Sequence, residues 1–171
     1  MAHALCPRAY IYEFDNDPKF LEKITSREVE ITADQFPNFL YDEINAELPS
    51  EDEEWDVKYG LLHSSMCLWA YKYILLGNGF WMPLNKRRKS VVGKLNRLTQ
   101  VMLETIGYTV AQVNFALSSC KEWGAEDSQF ILEAFFHAIL ELFKDGEDEW
   151  VVETLDWWNE YDVFSSLNPI L

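Results

Sequence analysis

At 171 residues, with 49% hydrophobic and 25% charged residues, the chain has the size and make-up of one folded domain, which excludes an intrinsically disordered segment. No run approaches the roughly 18 apolar residues of a membrane span, and residues 1–14 lack a signal-peptide apolar region, so an intracellular, cytoplasmic protein without membrane contact is expected. The net charge of −15 argues against nucleic-acid binding, because a phosphate backbone repels such a chain.

The charge is divided unevenly. Between Asp56 and Glu104 there is no carboxylate, while Lys58, Lys72, Lys86, Arg87, Arg88, Lys89, Lys94 and Arg97 are all basic. The rest of the chain carries all 29 acids and six bases. One expectation is that the basic middle packs beside the acidic flanks and neutralises them. The alternative is that Lys86-Arg87-Arg88-Lys89 forms an exposed loop and acts as a nuclear-import signal.

In chain order, residues 1–50 read as an irregular segment. Asp17-Pro18 marks a short helical turn, with Asp as cap and Pro at the first helical position. Residues 26 to 31 alternate in a way that suits a short extended stretch. A further helical turn from Thr32 is limited by Pro37. Ser50 and Glu53 form a capping-box pattern, and the spacing predicts the main helix over residues 56 to 76. Its apolar stripe is Tyr59, Leu62, Met66, Trp69, Tyr73 and Leu76. Gly77-Asn78-Gly79 ends it. A loop with Phe80, Trp81 and Met82 follows, then a helix from Ser90 to about Ile106, interrupted at Gly107, and a short helix over 109–119. Asp127 caps a helix to about Lys144 with a wide apolar face. The last helix runs over 147–158, with Trp150, Val151, Leu155 and Trp158 inward. The expectation is all-α: a single compact domain, 1–171, of five to seven helices. The segment 1–50 packs on a helical body, 51–164, and a tail follows, 165–171.

Catalytic chemistry is hard to find. Cys6, Cys67 and Cys120 are odd in number and far apart, which favours free thiols over disulfides and over a zinc site. A metal is expected to be absent, although Met1-Ala2-His3 with a free amine has the pattern that chelates copper or nickel. His63 and His137 have apolar neighbours, as satisfied core histidines do. Cys67 is one helical turn after His63, the spacing of a nucleophile and its base, but Met66 and Leu68 beside it point to burial. No nucleotide, hydrolase or metalloprotease motif is present. The chain is read as a non-enzyme.

Several segments carry a resemblance. They are Phe36-Pro37-Asn38-Phe39-Leu40-Tyr41, Gly60-Leu61-Leu62, Ala70-Tyr71-Lys72-Tyr73-Ile74-Leu75, Val113-Asn114-Phe115-Ala116-Leu117-Ser118-Ser119 and Leu155-Asp156-Trp157-Trp158-Asn159-Glu160. Together, over residues 31 to 164, they resemble a domain family of unknown function from mushroom-forming basidiomycete fungi. The resemblance implies a lineage and no chemistry.

Aromatic residues make up 15% of the chain. Trp157 and Trp158 sit about 100° apart on a helix, so both cannot enter one core. Trp69, Tyr73, Phe80, Trp81, Met82, Phe135 and His137 are the candidate lining of a pocket for a flat, apolar small molecule. Such a ligand would be non-covalent, aromatic or conjugated, as in a mushroom pigment or chromoprotein. The competing expectation is that these residues fill the core. The runner-up function is an acidic protein–protein interaction module, nuclear if the basic loop directs it there. Exposed aromatics would then serve as anchors or drive self-association.

Overall fold

The computed structural model describes residues 3–41, 56–76, 100–118, 126–127 and 130–160. Two 3-10 turns, His3–Leu5 and Arg8–Tyr10, lead into α1 (Ile11–Asn16) and α2 (Phe20–Thr25). Asp17 organises the junction between them. Its carboxylate accepts the Lys19 backbone N–H at 2.9 Å and pairs with Lys23 at 2.7 Å. The stretch 26–31 forms no strand, and its first four residues, 26–29, turn instead. Arg27 is left-handed, with φ 61°, and the Glu28 and Val29 N–H groups both close on the Lys23 carbonyl.

This N-terminal segment builds a small apolar cluster of its own from Cys6, Ile11, Phe20 and Ile24. A bridge between Pro7 and Pro37 ties it to a 3-10 turn, Asn38–Leu40. The buried Arg8 lies at the joint, donating to Asn38 Oδ1 and covering the Tyr41 ring at 5.2 Å.

The body consists of α3 (Ser65–Leu76), α4 (Leu103–Leu117), α5 (Leu132–Glu141) and α6 (Glu149–Glu160). A two-residue antiparallel ladder precedes α5: β1 (Glu126–Asp127) pairs with β2 (Phe130–Ile131), Glu126 opposite Ile131. The all-α reading holds, with six α-helices among the described residues. The closest pairings are α4 with α5 and α3 with α4. The main core takes Phe39, Leu40 and Tyr41 from the N-terminal segment, Leu61 and Leu62 from the turn before α3, and side chains from all four body helices. Asp148 caps α6 through its carboxylate, which accepts the Trp150 N–H at 2.9 Å.

Four expectations about helices change. The main helix starts at Ser65 rather than at 56, because Gly60 (φ 69°) and Leu62 (φ 64°) are left-handed and residues 57–60 form a turn. Its inward face is also a different one. Cys67, Leu68, Tyr71 and Leu75 are buried, while Trp69 and Tyr73 are exposed. Gly107 does not interrupt α4. It lies inside the helix because a Cβ there would meet the Phe136 ring of α5 at 3.0 Å. Finally, α5 begins at Leu132 rather than at Asp127. Phe130 and Ile131, an aromatic and a β-branched residue, form the ladder instead. The helix expected from Ser90 lies outside the described residues up to 99.

Candidate functional site

The turn over 56–64 is fixed by two indoles from α6. Asp56 opens it by accepting the Lys58 N–H at 2.9 Å. The Trp150 Nε1–H donates to the Lys58 carbonyl at 2.9 Å, and the Trp158 Nε1–H donates to the Leu62 carbonyl at 3.0 Å. Lys58 returns the contact, its ammonium 5.2 Å over the Trp150 ring and paired with Asp148. The left-handed Leu62, costly for a branched side chain, is therefore held by a buried hydrogen bond to its own carbonyl.

The adjacent tryptophans divide as their angular offset requires. Trp158 is fully buried and meets Tyr71 edge-on at 5.2 Å. Trp157 is half-buried and stacks on the His63 ring at 4.9 Å, with 16° between planes. Tyr71 continues the line to α4, its hydroxyl 3.1 Å from Thr105 Oγ1. His63 thus sits in the turn before α3, against an indole, and not on the helix with Cys67.

Two of the three thiols lie among the described residues. Cys6 and Cys67 are free and buried, with contacts to the Tyr10 and Phe39 carbonyls at 3.7 and 3.9 Å. Burial pushes both thiols up to about 12, and at Cys6 the carboxylates of Asp15 and Glu13 add to the effect. Iodoacetamide at pH 8 is expected to leave both unmodified in the folded protein and to modify both in urea, as read by peptide masses after digestion. Cys120 lies outside the described residues. Among the described residues no group of three His, Cys, Asp or Glu side chains is placed to hold a metal, and no helix is long and apolar enough to cross a membrane.

The residues singled out for a pocket lie in different settings. Trp69 and Tyr73 share one face of α3, one turn apart, and are 45% and 51% exposed. Lys72 joins them, its ammonium 5.7 Å over the Trp69 ring. Phe135 is fully buried in the core, whereas His137, about 200° further round α5, is exposed and touches Phe136 edge-on. Phe80, Trp81 and Met82, like the Lys86-Arg87-Arg88-Lys89 run, lie outside the described residues. Of the candidates that are described, the fold brings Trp69 and Tyr73 together. Sequence reasoning missed Lys72 as their neighbour, although its spacing of three residues from Trp69 was there to read.

The carboxylate of Asp148 is held below the usual carboxylate range, first by the hydrogen bond from Lys58 and then by the Trp150 N–H. A carboxyl whose folded value is depressed stabilises the protein at pH above its unfolded value, near 3.8, and the contribution is lost as pH falls through the folded value. The melting temperature is therefore expected to fall between about pH 5 and pH 3, and Asp148→Asn should make that acid limb shallower. An unchanged limb in the variant would show that the Lys58 contact contributes nothing.

A family model matches residues 1–162, and it describes a family of unknown function, DUF6698. The chain belongs to DUF6698. The match takes in the N-terminal segment as well as the helical body, so the Pro7–Pro37 joint lies inside the DUF6698 unit. No curated protein and no solved structure matches this DUF6698 chain.

Proposed function

We propose that this protein is a non-enzymatic interaction module that holds a polypeptide partner on the aromatic face of α3. The observation that carries the reading is the exposure of Trp69 and Tyr73, side by side on a helix whose opposite face is fully buried. Tryptophan and tyrosine are the side chains that most often anchor interfaces, because they bury a large area at a small cost in rotamer entropy. A pigment-binding role of the mushroom chromoprotein kind draws less support from this arrangement. It would want Phe135 and His137 to face the same space as Trp69, and one is in the core while the other faces solvent.

The test compares wild type with Trp69→Ala/Tyr73→Ala. As these are surface residues, the double variant is expected to lose less than about 1 kcal/mol of stability in urea. A polypeptide that co-purifies from the natural source with wild type should be lost with the variant, and should rebind wild type when both are pure. A visible absorption band that travels with the protein, and no polypeptide, would replace this reading with the pigment one.

A further inference from the structure

The turn between α5 and α6 carries a reactive peptide bond. Of the seven glycines in the chain, Gly146 alone follows an aspartate. Asp145, Gly146 and Glu147 are all exposed. An aspartyl–glycyl bond rearranges readily, because no side chain keeps the glycine nitrogen from the aspartate Cγ. A fold can still suppress the reaction, by packing against the glycine or by tying up its N–H in a hydrogen bond.

Neither safeguard operates at Gly146. A Cβ built there would meet nothing within 4 Å, so the space beside the backbone is open. Among the described residues the Gly146 N–H donates no hydrogen bond. The next two N–H groups are both used. That of Glu147 donates to Asp145 Oδ1 at 3.2 Å, and that of Asp148 donates to the Asp145 carbonyl at 3.1 Å. The Glu147 contact folds the Asp145 carboxyl back along its own chain, toward the peptide bond that follows it. Glycine is not demanded here by conformation either, since Gly146 has no positive φ.

Both ends of the turn are anchored. Phe143 is buried, and its ring lies 5.7 Å from that of Trp150. Asp148 caps α6 and pairs with Lys58, whose carbonyl accepts the Trp150 indole N–H. The chain from 144 to 147 therefore spans a set distance, and a change in its length is felt at the start of α6.

We propose that Asp145–Gly146 is a site of spontaneous isoaspartate formation in the folded protein, and that the rearrangement loosens the seat of α6. This is independent of what the α3 face binds. The Gly146 nitrogen attacks Asp145 Cγ. An N–Cγ bond forms, the Cγ–OH bond breaks, and water departs with the amide proton. Water then opens the resulting cyclic imide. Breaking the N–Cγ bond restores aspartate. Breaking the bond from nitrogen to the Asp145 main-chain carbonyl carbon leaves the chain running through Cβ and Cγ. One water is lost and one is gained, nothing is oxidised or reduced, and the mass is unchanged. The new link adds one carbon to the main chain and converts the former Asp145 carbonyl into a pendant carboxylate. The acceptors of the Glu147 and Asp148 N–H groups are both displaced, directly before the residue that caps α6.

Ageing wild type and Gly146→Val side by side in warm, neutral buffer tests this. The open space at 146 accommodates a side chain, so the variant is expected to match wild type in circular dichroism and urea unfolding before ageing. Peptides carrying residue 145 are then mapped by chromatography and mass. Aged wild type is expected to gain a peptide of unchanged mass that elutes apart from its parent and accepts a methyl group from an isoaspartyl methyltransferase. Deamidation of an asparagine would raise the mass, so the unchanged mass assigns the event to an aspartate. Gly146→Val should accumulate this species several-fold more slowly. The isomerised protein, separated from its parent, should unfold at lower urea. Absence of the shifted peptide from aged wild type, or equal accumulation in the variant, overturns the site. An isomerised fraction with the urea midpoint of its parent overturns the loosening of α6. Should Gly146→Val fail to fold, Asp145→Glu takes its place, because glutamate has to close a larger ring and is expected to keep its native linkage.

Discussion

Trp158→Ala is expected to cost about 3–5 kcal/mol of stability, the range for deleting a large buried aromatic. Trp158 is fully buried, its Nε1–H satisfies the Leu62 carbonyl, and its ring packs edge-on against Tyr71. Truncation leaves a cavity, an unpaired carbonyl at a left-handed residue, and a loosened seam between α6 and the turn over 56–64. Trp157→Ala, one residue earlier, is expected to cost clearly less, because that ring is half-buried and its stack on His63 lies at the edge of the core. Urea unfolding of both variants gives the comparison. Equal losses would mean that the core does not distinguish the two indoles. Trp158→Phe separates the terms: it refills much of the volume, but leaves the Leu62 carbonyl without its donor.

Gly107→Leu is expected to destabilise by about 1–3 kcal/mol, the usual result of overpacking. The backbone of α4 passes so near α5 that the first added carbon would stand 3.0 and 3.2 Å from the Phe136 ring and 3.3 Å from Leu140 Cδ2. Leucine is a far better helix former than glycine, by roughly 0.5–1 kcal/mol, so propensity alone predicts the opposite sign. Measured stabilisation would show that Phe136 and Leu140 swing aside freely. Gly107→Ala is the graded control, where the gain in propensity and the need to shift Phe136 by a few tenths of an ångström nearly offset each other.

What the sequence revealed and what it hid divide along physical lines. The helical class was legible because four body helices carry long apolar stretches, and the division of Trp157 from Trp158 followed from helix geometry alone. The inward face of α3 was not legible. Its twelve residues, Ser-Met-Cys-Leu-Trp-Ala-Tyr-Lys-Tyr-Ile-Leu-Leu, hold a single charge, so stripes through Met66, Trp69 and Tyr73 and through Cys67, Tyr71 and Leu75 fit the 3.6 period equally well. The choice was made by partners distant in sequence, Thr105 and Trp158, which together satisfy the Tyr71 hydroxyl and ring. The left-handed Leu62 had no local signal, because leucine avoids that region and the indole that holds it comes from α6, far along the chain. Gly107 misled for a related reason: a residue that weakens an isolated helix is the one that permits the close approach of α5. Of the candidate site, the aromatic character of Trp69 and Tyr73 was readable, but their exposure was decided by the same tertiary choice that buried Tyr71.

The two indole hydrogen bonds across the turn also set an order of events. They join Trp150 to Lys58 and Trp158 to Leu62, across 92 and 96 residues of chain. Contacts of such separation form late, since a long loop must close before they contribute. At a synthesis rate of roughly 5–20 residues per second, about 5–20 s pass between the appearance of the turn and that of α6. During that interval neither indole bond to the Lys58 and Leu62 carbonyls can form, and the left-handed Leu62 has no indole to hold it. Seating α6 closes the turn, and the start of α3 is settled only when the far end of the body has been made.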